Sequence, residues 1–327
     1  MLSRVAEALY WMSRYVERAE DLTRLLAVNF NSLLDAHPSE AQTGWQSLVR
    51  ITGDEAAFLK TGSEVNAQSV IRFLLWEPIN ANSVTVCLSL ARENARSVRE
   101  QISSEMWEAI NRLYFLTRNP ERMDVLTNPA EFFGQVRDRT QAFQGITAAT
   151  MSHDEPYEFI KLGLYLERAD KTARILGAKY LSLNHSQIAS AETALQLIAL
   201  LRSCSAFEPY RRASAGLISV ENVVEYLLLD RQFPRAVLFC LNVCQRTLER
   251  VGIDPNKTDP PHRALGRLNA DLEYLNIHEV LGAGMDPFLT RLLLQLNSIG
   301  DDIARTYFNT SIILPDERPR QQQQQQQ

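Results

Sequence analysis

Twelve residues near the N-terminus return 150 positions later. Tyr15-Val-Glu-Arg-Ala-Glu-Asp-Leu-Thr-Arg-Leu-Leu26 aligns without a gap on Tyr165-Leu-Glu-Arg-Ala-Asp-Lys-Thr-Ala-Arg-Ile-Leu176, with six identities in twelve positions. A second stretch repeats at an offset of 153: Phe73-Leu74-Leu75 matches Tyr226-Leu227-Leu228, Glu77 matches Asp230, and Cys87-Leu88 matches Cys240-Leu241. Two matches in one order and at nearly one offset point to a tandem duplication of a single unit. The junction falls near 151–155. The chain then divides into a first repeat over 1–152, a second over 153–315 and a tail over 316–327. That tail ends in seven glutamines, which offer no apolar face to bury, and it reads as disordered. Two copies of one unit are expected to pack together around a pseudo-twofold axis. A groove or core shared between them is then a natural site.

The unit is helical. Val5, Leu9, Met12, Val16, Ala19, Thr23, Leu26, Phe30 and Leu33 alternate spacings of four and three, a helical stripe sustained over the whole first segment. Ser3 is a candidate N-cap, and His37-Pro38 ends the stripe. Comparable helices are predicted over 83–116, 129–150, 156–183, 186–213, 219–229, 234–250, 262–274 and 287–313. Pro129, Pro156 and Pro287 stand where a first helical residue tolerates proline. No segment alternates as a strand does. The fold class is all-α: a tandem-duplicated bundle of long antiparallel helices.

Composition narrows the function classes. The net charge of −5 argues against a nucleic-acid binder that works through bulk electrostatics. Glu7 and Arg14 interrupt any signal-peptide core, and no uncharged apolar run reaches the ~20 residues of a membrane span, so a cytoplasmic location is expected. Cys87, Cys204, Cys240 and Cys244 lie in apolar helical sequence, without disulfide-framework spacing. Of 34 basic residues only five are lysine, leaving 29 arginines. Coding bias explains such a skew as well as specific pairing does. Arginine is, however, the residue that pairs carboxylates bidentately.

The duplicated segment keeps its charges. Glu17, Glu20 and Arg24 share one helical face, as do Glu167, Asp170 and Arg174, with Arg18 and Arg168 at the edge of that face and the apolar stripe largely opposite. Three readings fit: an exposed face of i,i+4 pairs, half-buried Glu–Arg pairs that fix packing register, or a site for an anionic or peptide-like ligand. A second cluster places Arg92, Arg96 and Arg99, with Glu93, along one predicted helix face. A third gathers Tyr210, Arg211, Asp230, Arg231 and Arg235. Phosphate-loop, dinucleotide-fold and nucleophile-elbow motifs are absent. A di-iron bundle needs Glu-x-x-His, and Glu17 and Glu167 are followed by Glu20 and Asp170 instead. An all-carboxylate Mg²⁺ or Mn²⁺ site from these four would compete with four nearby arginines, so neither metal nor cofactor is expected.

The Tyr-x-Glu-Arg-Ala-[Glu/Asp] helices, the Ala91-Arg-Glu-Asn-Ala-Arg-Ser-Val-Arg99 segment with Trp107-Glu-Ala-Ile-Asn111, and Asp230-Arg-Gln-Phe-Pro-Arg235 together resemble the bacterial Alpha-E family. The resemblance runs to about residue 315. Members of that family are typically encoded beside, or fused to, a circularly permuted ATP-grasp ligase, often near a transglutaminase-like peptidase. The resemblance therefore implies an amide-bond-forming system, with this chain as a non-catalytic or accessory subunit that binds the ligase and positions an acidic peptide or amino-acid substrate. Two alternatives stand beside it: an enzyme using Glu17 or Glu167 as a base beside Arg18 or Arg168, and a purely structural adaptor.

Overall fold

A computed structural model describes residues 1–34, 37–118, 129–181, 191–214, 218–252 and 259–308. Most of the described residues are helical, and they hold no strand. In chain order the helices are α1 Ser3–Ser32, α2 Pro38–Thr52, α3 Glu55–Leu59, α4 Ala67–Leu75, α5 Val84–Ser97, α6 Ser104–Arg118, α7 Pro129–Thr150, α8 Glu155–Leu181, α9 Ala191–Ser203, α10 Phe207–Ala213, α11 Val220–Leu229, α12 Val237–Val251, α13 Pro260–Glu273, α14 Ile277–Ala283 and α15 Met285–Ile303. A π-helical turn, Ala304–Phe308, extends α15 and lays Phe308 against the ring of Tyr10. None of these helices is long and apolar enough to cross a membrane.

The duplicated segments are the middles of α1 and α8, and these two helices pack on each other at the centre of the molecule. α1 also packs on α5 and α7, and α8 on α12 and α15. α6 bridges α5 and α7 as α13 bridges α12 and α15. One connected apolar core runs through both sets, including Leu9, Met12 and Val16 of α1 with Leu162 and Leu166 of α8. Burying so much surface around two central helices supplies most of the driving force, at ~25 cal/mol per Å² of apolar area.

Several predicted boundaries move. A single helix over 83–116 is replaced by α5, a 3₁₀ turn over Arg99–Gln101, and α6. Val98 leaves helical geometry at φ −126°, and Val98 and Ile102 both turn into the core. An unbroken helix of that length would span ~50 Å at 1.5 Å per residue and carry half its apolar stripe past its neighbours. The helix over 186–213 ends at Ser203, where Ser205 adopts φ 53°, and restarts as α10; residues 186–190 lie outside the described set. Ser3 is the first helical residue and not the cap: Leu2 holds that position without a side-chain bond. His37-Pro38 does not only end a helix, since Pro38 opens α2. α2, α3, α4 and α14 occupy stretches without a long stripe. Local capping holds α4, where Asn66 Oδ1 accepts from the Ser69 amide and Ser69 Oγ accepts from the Asn66 amide. The glutamine tail lies outside the described residues.

Candidate functional site

α1 and α8 approach closely at Ser13 and Gly163, which are equivalent positions at the offset of 150. Ser13 Oγ donates across the crossing to the Ile160 carbonyl at 2.8 Å. A Cβ at Gly163 would lie 2.3 Å from the Tyr10 carbonyl oxygen, so only glycine admits this separation. One turn further along each helix stand Glu17 and Glu167, both fully buried.

The Glu–Arg pairs of the motif cross between the helices. Arg18 Nε donates to Glu167 at 2.7 Å, and Arg168 Nε donates to Glu17 at 2.8 Å. The duplicated arginine of each copy thus serves the duplicated glutamate of the other. Around Glu17 the pairing is dense. Its carboxylate accepts from Arg168, from Arg235 Nη1 at 2.6 Å and from Gln144 Nε2 at 2.6 Å. Arg235 also bonds Glu20, and Asp21 at 2.8 Å. Arg24 bonds Glu20 and Asp21 and donates its Nε to the Ser203 carbonyl at the end of α9. Three carboxylates meet three guanidinium groups here, all buried.

Around Glu167 the balance differs. Glu167 accepts from Arg14 and Arg18, both at 2.7 Å, and faces Lys171 at 3.4 Å. Asp170 pairs with Arg174 at 2.8 Å and Lys171 at 3.2 Å. Two carboxylates face four cations. The excess comes from Lys171, which stands where the other copy has Asp21, and from Arg14, where the other copy has Leu164; Asn82, which stands where the other half has Arg235, offsets part of it. Asn82 accepts from Arg18 Nη1 and donates to Asp54, and a pocket of about 30 Å³ remains beside it, lined by Arg18, Lys171 and Arg174.

The electrostatics follow from burial and pairing. Burial alone would raise the Glu20 pKa, but Arg235 and Arg24 beside it hold it down at about 2. Glu167 is likewise held well below the usual carboxylate range by Arg18, Arg14 and Lys171, against the effect of burial. Burial and the neighbouring Arg235 push Arg24 down to about 10, still cationic at neutral pH. Each ion loses several kcal/mol of hydration on burial, and each contact returns about 4 kcal/mol at 4 Å and an effective dielectric near 20. The lattice is thus nearly neutral in net stability but costly to break. Glu17, Glu20 and Asp21 converge closely enough to ligate a cation. All of their oxygens except Asp21 Oδ2 already accept from Arg24, Arg168, Arg235 or Gln144, while Glu167 and Asp170 sit with a separate set of cations, so the four-carboxylate arrangement does not form.

This geometry removes the exposed-face reading of the motif. The middle of α1, residues 19–26, is buried on every side, not only along its apolar stripe. Of the other two clusters, the one around Arg92 stays together and the one around Arg231 separates. Arg99 lies in the 3₁₀ turn, off the helix that carries Arg92 and Arg96. Arg92 bonds Asn111 at 2.7 Å and Glu93 at 3.0 Å, Arg96 pairs with Glu93, and Arg92 and Arg99 both flank the Trp107 ring. Arg211 lies over Phe207, Arg231 pairs with Glu273 on the surface, and Asp230 accepts from the amides of Gln232 and Phe233. Tyr210 is buried edge-on against Tyr226. Arg235 alone of the third cluster joins the lattice. Arg14, Asp21, Gln144 and Asn82 also belong to it without having been singled out. Arg14 has no counterpart in the second copy, where Leu164 stands, so the duplication could not flag it.

Beside Arg168 a cleft of about 330 Å³ opens between α1, α7 and α8. Its floor includes Ser13, Val16 and Ile160, and Gln141 and Gly145 stand at an exposed rim.

The model of the Alpha-E family, described as "a predicted alpha-helical domain with a conserved ER motif", matches residues 1–308. An uncharacterized protein of Mycobacterium bovis is 26% identical over 95% of this chain. Uncharacterized proteins of two Mycobacterium tuberculosis strains are 26% and 25% identical over the same share. The chain spans only 37% of the length of each of these relatives. No solved structure matches.

Proposed function

Since this chain belongs to the Alpha-E family, we propose that it is an accessory subunit of an ATP-grasp-dependent amide-bond-forming system. In this role it binds the ligase and helps position an acidic peptide or amino-acid substrate. The observation that carries the non-catalytic part is the occupancy of the motif carboxylates. A general base works best with a pKa near the operating pH. Of the two carboxylates proposed as a base, Glu167 lies far below it, and both Glu17 and Glu167 have guanidinium groups on their oxygens. That weighs against the reading as a stand-alone Glu–Arg enzyme. The association with a ligase rests on the family's genomic habit. The greater length of the mycobacterial relatives accords with a domain that also occurs within larger chains.

The test is to co-express the chain with the ATP-grasp ligase encoded beside it, purify by a tag on the ligase, and follow ATP-dependent amide formation with and without the chain. The account predicts a stable complex and a ligase whose turnover falls at least tenfold when the chain is omitted. A ligase that neither retains the chain nor changes its rate without it would overturn the proposal. Lys161 lines the cleft beside Arg168 and lies outside the lattice, so Lys161→Gln then asks whether the chain touches substrate. Loss of turnover with the complex intact supports positioning, and unchanged turnover leaves the purely structural adaptor as the better reading.

A further inference from the structure

The 330 Å³ cleft between α1, α7 and α8 has a volume at the lower end of small-molecule sites. Its lining holds two cations, Lys161 and Arg168, and no carboxylate. Arg168 is nine-tenths buried. It uses Nε and Nη2 on Glu17 and Gln144, and its Nη1 makes no hydrogen bond among the described residues. Lys161 Nζ lies 3.1 Å from Glu158, but Arg250 engages the same carboxylate at 3.0 Å, so one negative charge is divided between two cations. The rest of the lining is mixed: Phe143, Tyr157, Leu164 and Tyr165 give an apolar and aromatic side, and Ser13, Gln141, Gln144 and Thr147 are polar and uncharged.

The other copy carries different residues at the equivalent positions. At the offset of 150, Trp11 replaces Lys161 and Arg14 replaces Leu164. Arg14 lies 5.0 Å from the Trp11 ring centroid and bonds Glu167, so that cation is satisfied within the protein. In the second copy the cation is Lys161, one turn earlier than Arg14's equivalent position, and the aliphatic Leu164 lines the cleft beside it.

We propose that this cleft binds a carboxylate-bearing ligand of amino-acid to dipeptide size. The carboxylate lies toward Arg168 and Lys161, and an apolar side chain lies among Phe143, Tyr157 and Tyr165. A guanidinium and an ammonium at the edge of an aromatic pocket recognise that combination by charge-assisted hydrogen bonds and apolar burial. The inference rests on the substrate-positioning role only for its biological use. Ligand binding to the isolated chain needs no ligase, so failure here and failure of the partnership are separable.

The test is calorimetric titration of the full chain with N-acetyl-L-phenylalanine and with its neutral carboxamide. The acid is expected to bind saturably and the amide at least about tenfold more weakly, a difference of ~1.4 kcal/mol. Lys161→Gln should weaken the acid by a similar factor without changing the amide. Arg168→Ala disturbs the lattice, so blocking is done at the rim. A Cβ at Gly145 meets nothing within 4 Å, and Gly145→Trp places a large side chain at the mouth of the cleft without disturbing packing. With thermal stability unchanged, this variant should lose acid binding. Absence of saturable binding, equal affinity for acid and amide, or binding unchanged by Gly145→Trp would each overturn the proposal.

Discussion

Single residues decide the charge balance of the centre, and the partner each one finds was only partly legible in the sequence. Glu17, Arg18, Glu20, Arg24, Glu167, Arg168, Asp170 and Arg174 were marked by the duplication, and all belong to the paired lattice. Geometry at 100° per residue, however, favours partners on the same helix. Arg24 with Glu20 and Asp21, Arg174 with Asp170, and Lys171 with Glu167 pair that way. Arg18 and Arg168 reach across to the other helix, and Arg235 enters from the turn before α12. Nothing in one sequence orients a helix face toward a particular neighbour. The excess of arginine over lysine is explained in part by these forked contacts, while surface arginines such as Arg112, with i,i+4 Glu108, need no such account. The burial of paired carboxylates has a pH consequence. Glu20 and Glu167 have folded-state pKa values below their unfolded ones, so they bind fewer protons when folded. Their contribution is fully present above the unfolded value near 4.5 and is lost as pH falls from there toward about 2. Urea midpoints should therefore be steady from pH 7 to pH 5 and drop below about 4.5. Glu20→Gln should be less stable at neutral pH by ~3–5 kcal/mol, because it leaves buried guanidinium groups uncompensated. It should also lose stability less steeply on acidification. A profile parallel to wild type would show that Glu20 is not the group that titrates.

Elements were predicted best where one long stripe ran without interruption. α7 was read at its observed bounds, and α8, α11, α12 and α13 within a few residues. The failures came where a helix had to stop so that the chain could turn back. Val98 and Ser205 carry no proline or glycine to announce a break, and what ends those helices is the tertiary gain from packing α5 against α6 and α9 beside α10. Gly163 was silent for the opposite reason. A glycine within a helical stripe reads as a mild propensity penalty, whereas here it lets α8 lie against the Tyr10 carbonyl of α1. Gly163→Ala would gain about 1 kcal/mol of helix propensity. It would also force a Cβ into a backbone oxygen and the Ser13 hydroxyl, an overpacking that costs ~1–3 kcal/mol or more. The expected outcome is net destabilisation of at least ~1 kcal/mol, read from urea unfolding, with Ser13→Ala partly relieving it in the double variant. A Gly163→Ala protein as stable as wild type would mean that the two helices are not held at this separation.

At the scale of the molecule, the duplicated segments are the two helices that the rest of the bundle surrounds. Their neighbours correspond: α5 and α7 for α1, α12 and α15 for α8. The pairs that tie them join residues 149 and 151 positions apart. We propose that this exchange reflects the pseudo-twofold relation implied by the duplication. It also accounts for the motif being kept in both copies, since each copy's arginine serves the other's glutamate. The copies then diverged around a common tie. One has Arg235 between three carboxylates, the other has Asn82 and Lys171 and a surplus of positive charge, and a cleft of about 330 Å³ opens beside Arg168. On this proposal the motif couples the two halves of the chain. A double-mutant cycle of Glu17→Gln and Arg168→Met, followed by urea unfolding at pH 7, tests it most directly. The crossed lattice predicts that each single variant loses ~3–5 kcal/mol, and that the double variant is more stable than the sum of the two losses by at least about 1 kcal/mol. Losses that add to within about 0.5 kcal/mol would show that the two residues do not interact, and would contradict the account.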